Sequence, residues 1–143
     1  MLDTALLLAV RAHSGQVDKC GEPYILHLLR VMIGLGPSAS EEDRCVAVLH
    51  DILEDTRVTL TELEDAKFPD DVVLAVDLLT RNGEPYRQYL ERLAKDPMAR
   101  RVKLCDLRDN LDPQRIAKLP ARYADLSARY RDALMMLLRS EED

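Results

Sequence analysis

The stretch Ala47-Val48-Leu49-His50-Asp51-Ile52-Leu53-Glu54-Asp55 sets four ionisable side chains inside the most apolar part of the chain. Ionisable groups in such a setting are informative, because burying a charge is costly unless something pairs with it. On a continuous helix at about 100° per residue, His50 and Glu54 lie within roughly 40° of each other, as do Asp51 and Asp55. The four groups then share one face of about 140°. Three carboxylates on one buried face call for a cation, and imidazole and carboxylate both suit divalent ions. Two other segments repeat the pattern. His27 interrupts the apolar run Tyr24-Ile25-Leu26-His27-Leu28-Leu29, and Asp106 interrupts Val102-Lys103-Leu104-Cys105-Asp106-Leu107. Each can project toward the His50-Asp51 pair, giving two His and two Asp ligands from three helices and leaving positions for water and substrate. Taken singly, a His on an apolar helix is more often a hydrogen-bonded core residue, and a His-Asp dipeptide arises by chance. The three sites together outweigh those readings.

The elements that must position these residues are helical. Leu2, Ala5, Leu6, Ala9 and Val10 follow the i, i+3, i+4 spacing of one buried face over residues 2–13. Ser14-Gly15 breaks that helix, and Pro23 opens the next at its first position, which Gly34, Gly36 and Pro37 end near Leu35. Ser40 with Asp43, and Thr59 with Glu62, resemble capping boxes. The helix opened by Ser40 is apolar on all sides over Cys45–Leu49, which predicts a central position. Further helices are predicted over 70–80, 85–95 and 97–110, with a last long one from near Pro120 to Arg139 before a fraying acidic tail. Leu134–Leu138, with Met135 and Met136, reads as core rather than as a subunit contact. No alternating β pattern or repeat interrupts the series. The expected fold is a single all-α bundle over residues 1–143.

Bulk properties narrow the function. A net charge of −6 argues against a general DNA, RNA or anionic-membrane binder, while a local basic pocket for an anionic small molecule remains compatible. Cys20, Cys45 and Cys105 form no C-x-x-C pair and read as reduced thiols, with the cytoplasm as the expected location. The apolar run Ala5–Val10 is too short to span a bilayer, and it follows Asp3 rather than a basic segment, so it does not read as a signal peptide.

The blocks His13-Ser14-Gly15-Gln16, Gly21-Glu22-Pro23-Tyr24-Ile25-Leu26-His27, His50-Asp51-Ile52-Leu53-Glu54-Asp55-Thr56 and Val102-Lys103-Leu104-Cys105-Asp106 resemble the hydrolase domain of the bifunctional alarmone synthetase/hydrolases. The similarity is strongest to the stand-alone small alarmone hydrolases of the HD superfamily, and runs from about residue 5 to residue 135. The resemblance implies an HD-type helical fold and a manganese-dependent 3′-pyrophosphohydrolase acting on guanosine tetra- or pentaphosphate. It implies His27, His50, Asp51 and Asp106 as ligands of one cation, and Glu54 and Asp55 as the acidic pair that positions and activates water. Histidine and carboxylate ligands serve Fe²⁺ and Zn²⁺ as well as Mn²⁺. On the substrate side it implies Lys19, Asn110 and Tyr130. Their plainer readings are a solvated loop lysine, a helix C-cap and a core-edge aromatic.

The chain also departs from the family's pattern. Asp18-Lys19 stands where the family has Arg-Lys, replacing a cation that packs on guanine there with an anion. Leu107-Arg108-Asp109-Asn110 replaces a run close to Arg-Leu-His-Asn, and Leu28 replaces a proline. Arg81, Arg87, Arg100 and Arg101 are candidate alternative phosphate contacts, most of them read as surface. Two other functions follow from these departures. One keeps the metal chemistry on another phosphorylated nucleotide such as NADPH, and the other is a catalytically silent nucleotide-binding module. The presence of every ligand and both acids speaks against the silent module.

Overall fold

The computed structural model describes residues 1–140, and the acidic tail at 141–143 lies outside the described residues. In chain order the helices are α1 (Leu2–Ala12), α2 (Tyr24–Gly34), α3 (Glu41–Leu49), α4 (Ile52–Asp55), α5 (Leu60–Asp65), α6 (Asp70–Leu78), α7 (Tyr86–Leu93), α8 (Pro97–Asn110), α9 (Pro113–Ile116) and α10 (Leu126–Ser140). A 3₁₀ turn over Ala121–Tyr123 precedes α10. Among the described residues the β structure is limited to one isolated bridge, between Val17 and Pro23.

The α3 helix is central because its side chains are apolar all round: Cys45, Val46, Ala47, Val48 and Leu49 are all fully buried. Around it pack α1, α2, α6 and α8, while α10 covers the far side of α8. Ala5 and Ala9 are the buried positions of α1, and such small side chains let its axis lie close to α3. Leu28 and Val31 of α2, Val72 and Val76 of α6, Val102 and Leu107 of α8, and Leu137 of α10 complete the core. Each such side chain contributes about 1.5–3 kcal/mol by leaving water. Val10 departs from the predicted α1 face and is half exposed.

Side-chain caps fix where the helices begin. Ser40 Oγ accepts the Asp43 amide at 3.0 Å, Thr59 Oγ1 accepts that of Glu62 at 3.2 Å, and Asp96 Oδ1 accepts that of Ala99 at 2.9 Å. Asp43 does not complete a capping box; its carboxylate takes Arg101 Nη2 of α8 at 2.9 Å instead. The clearest difference from the sequence reading is at the centre. Rather than one helix running through Asp55, α3 stops at Leu49 and α4 starts at Ile52. The physical reason is local: His50 Nδ1 donates to the Ala47 carbonyl at 2.6 Å, the oxygen that the Asp51 amide would take in an unbroken helix. The late helix expected from near Pro120 is divided into the 3₁₀ turn and α10, and a short α9 that the sequence did not mark lies before it.

Candidate functional site

The break after α3 turns His50 and Asp51 toward α2 and α8. His27 Nε2 lies 2.9 Å from Asp106 Oδ1 and 3.9 Å from Asp51 Oδ2. His50 Nε2 lies 3.1 Å from Asp51 Oδ2 and 3.5 Å from Asp106 Oδ1. All four predicted ligands therefore meet at one point, with His27, His50 and Asp106 buried. The His50 ring donates through Nδ1, so in its neutral form Nε2 carries the lone pair, and that buried atom has no hydrogen-bond partner. His27 is set the same way, with Nδ1 2.6 Å from Asp109 Oδ2. Two imidazole lone pairs facing two carboxylates repel one another unless a cation sits between them, and this donor set fits a divalent ion.

The two carboxylates draw positive charge to this point, whether carried by the rings or by a cation. Burial pushes the His50 and His27 rings toward the neutral form, yet the charges of Asp51 and Asp106 reverse this and raise both. Burial disfavours ionised Asp106, but the Lys103 ammonium, 2.9 Å from Oδ2, and the two histidines hold it well below the carboxylate range. Burial likewise opposes ionised Asp51, and the charge of His50 overcomes it.

Beside these ligands, one carboxylate oxygen each from Asp51, Glu54 and Asp55 lie within 4.8 Å of one another. Burial, followed by repulsion from Asp51 and Glu54, pushes Asp55 up to about 6. Glu54 Oε1 accepts the Arg81 amide at 2.8 Å. The Tyr24 hydroxyl donates to Asp51 Oδ2 and lies 3.4 Å from Asp55 Oδ2, bridging the ligand cluster and the acidic pair.

The cluster opens into a cavity of about 300 Å³, at the low end of the range for small-molecule sites. Lys19, Asn110 and Tyr130 all line it. Lys19 Nζ sits 5.6 Å from the Tyr123 ring centroid. Asn110 Nδ2 donates to Asp106 Oδ1 at 3.2 Å, while its Oδ1 accepts Arg115 Nη1 at 3.0 Å. Leu111 rather than Asn110 caps α8. Cations from several elements border the same space: Arg81, Lys103, Arg115 and Arg129, the last stacked 3.8 Å from the Tyr86 ring centroid. Of the other arginines, Arg87 pairs with Glu91, Arg100 reaches the Leu137 carbonyl and Arg101 reaches Asp43.

Comparison with known proteins bears on this arrangement. No protein-family model matches the chain. It is 33% identical over 120 residues to a guanosine-3′,5′-bis(diphosphate) 3′-pyrophosphohydrolase of Aquifex aeolicus, covering 77% of this chain and 17% of that protein. It is 30% identical over 122 residues to the bifunctional (p)ppGpp synthase/hydrolase SpoT of Escherichia coli, with 77% and 17% covered. A solved structure of a metazoan SpoT ortholog, described as hydrolysing ppGpp, superposes with a TM-score of 0.79 at 25% identity, covering 96% of this chain and 85% of that one. The chain belongs to the HD-domain (p)ppGpp hydrolase family. It spans less than a fifth of the length of these two curated relatives.

Against the family's pattern, Asp18 is the informative departure. It is half-buried in the loop before α2, with its side chain covered, where Oδ1 accepts the Cys20 and Glu22 amides at 2.8 and 3.0 Å and Oδ2 accepts Arg115 Nη2 at 3.1 Å. Gly21, at φ 84°, supplies the left-handed residue this turn needs. Position 18 thus shapes the loop and holds an arginine brought from α9 to the cavity edge. Sequence reasoning missed Tyr24, Lys103, Asp109 and Arg115 as site residues. Tyr24 stands three positions before His27, while Lys103 and Asp109 stand three positions either side of Asp106, a spacing that shares a helix face. No such local signal marks Arg115, 97 positions from Asp18.

Proposed function

We propose that this chain, as one domain over residues 1–143, is a Mn²⁺-dependent hydrolase that removes pyrophosphate from the 3′ position of guanosine tetra- or pentaphosphate. The observation that carries the reading is the meeting of His27, His50, Asp51 and Asp106 beside Glu54 and Asp55, at the floor of a cavity bordered by cations. A divalent ion bound by those four residues would lower the pKa of a bound water and offset charge on phosphoryl oxygens. Glu54 and Asp55, beside that point, would orient the water and accept its proton. The Tyr24 hydroxyl keeps Asp51 and Asp55 in register. Water adds to phosphorus, the bond to the 3′ oxygen breaks, and the products are pyrophosphate and a nucleotide with a free 3′ hydroxyl. Lys103, Arg81 and Arg129 supply positive charge near the cavity for the phosphate oxygens. The pyrophosphohydrolase named from Aquifex aeolicus and the metazoan ppGpp hydrolase support this substrate class.

A second reading keeps the chemistry and changes the nucleotide. Asp18, locked to Arg115 where the family has a stacking arginine, favours it. Purified chain is incubated with Mn²⁺ and ppGpp, then with NADPH and other phosphorylated nucleotides. Pyrophosphate release from ppGpp supports the first reading. Orthophosphate release from another nucleotide, with ppGpp untouched, replaces it with the second. Saturable binding without turnover of any compound would make the chain a silent module.

A further inference from the structure

We infer that Asp109 is the positioning residue for His27, fixing the ring so that Nε2 faces the cation; the inference rests on the cation site proposed above. Asp109 Oδ2 lies 2.6 Å from His27 Nδ1. An ionised carboxylate can only accept there, so Nδ1 keeps its proton, and Nε2 is the nitrogen that faces the point where Asp51 and Asp106 converge and that a cation takes as the ring becomes neutral. The carboxylate is itself clamped. Arg30 donates from Nε to Oδ1 at 2.8 Å and from Nη2 to Oδ2 at 3.2 Å, and Arg115 Nη1 donates to Oδ2 at 2.8 Å. With its side chain only 10% exposed, little water competes for these bonds.

A residue that merely stabilised α8 would not need partners on α2 and α9 together. The Arg115 guanidinium that clamps Asp109 also holds Asp18, so one cation ties the loop bordering the cavity to the orienting carboxylate of a ligand. This explains two departures from the family's pattern at once: Asp109 after the ligand Asp106, and Asp18 before Lys19. Both carboxylates are used by the same arginine.

Mn²⁺ is titrated into the wild-type chain, Asp109→Ala and Asp109→Asn, with free Mn²⁺ read by electron paramagnetic resonance and helical content by circular dichroism. Asp109→Ala is expected to weaken Mn²⁺ binding about 10–100-fold. Asp109→Asn regains part of that, because its amide oxygen still accepts the Nδ1 proton. A folded Asp109→Ala with wild-type Mn²⁺ affinity overturns the inference. So does a His27 ring protonated at Nε2 rather than Nδ1 in ¹⁵N-edited spectra of the Zn²⁺-loaded wild type, a readout that needs no variant. A wild-type chain that binds no divalent ion fails the cation site itself and removes the inference with it, whereas wild-type binding that Asp109→Ala leaves unchanged fails the inference alone.

Discussion

Asp106→Ala separates what this carboxylate does for the fold from what it does for a cation. In the protein, Asp106 Oδ2 lies 2.9 Å from Lys103 Nζ, with the lysine side chain 12% exposed and the aspartate 6%. At that separation and an effective dielectric of about 20, the attraction is about 6 kcal/mol. Removing one member of such a buried pair costs about 3–5 kcal/mol, because the other charge is left behind. The lower end is expected here, since the variant also removes repulsion between Asp106 and Asp51. With an unfolding entropy near ~0.3 kcal/mol/K for a chain of this size, a loss of about 3 kcal/mol lowers Tm by about 10 °C in EDTA. Mn²⁺ at about 100 times its Kd adds about 2.7 kcal/mol to the wild type, or about 9 °C. The variant, short of one ligand, gains almost nothing. Differential scanning calorimetry with and without Mn²⁺ reads both quantities. An equal Mn²⁺-induced rise in the two proteins would refute Asp106 as a ligand. An unchanged Tm in EDTA would refute the buried pair.

Other perturbations probe other links of the same chain of reasoning. Tyr24→Phe removes the hydroxyl that joins Asp51 to Asp55, and a hydrogen bond to a charged group contributes about 1.5–3 kcal/mol. Turnover of the substrate is expected to fall at least tenfold with the helical content intact, and wild-type turnover would show that the bridge is idle. Asp96→Ala deletes the cap of the helix that carries Lys103, Asp106 and Asn110, and is expected to cost about 1 kcal/mol in urea unfolding. Burial, reinforced by the charge of Glu41, pushes the Cys45 thiol up to about 11 from its ordinary value of 9.0. A raised acid pKa makes the folded state hold its proton longer than the unfolded one, so stability falls as pH rises from about 9 to about 11. Native protein at pH 8 should therefore leave Cys45 unlabelled by a thiol reagent that labels it fully in denaturant, and rapid native labelling would contradict its burial.

Much of this protein is legible without coordinates. The helical class follows from 3.6-residue periodicity, a local property written in neighbouring residues. The candidate ligand set follows from ionisable groups embedded in apolar runs, because the cost of burying a charge makes such residues improbable without a partner. His27, His50, Asp51 and Asp106 could be named on that ground, with Glu54 and Asp55 beside them. Periodicity places His50 through Asp55 on one continuous helix, whereas the His50 ring takes the Ala47 carbonyl and the helix breaks. What only the tertiary structure decided is which groups hold the candidate ligands in place. Asp109 reads in sequence only as an acid in the altered run after Asp106, and Asp18 as a lost arginine. The fold brings Arg115 between them from a short helix that periodicity did not mark, and turns Asp109 onto a histidine 82 positions earlier. Hydrogen bonds between groups so far apart in the chain leave no periodic trace, because their partners are chosen by how helices pack and not by the spacing of neighbours.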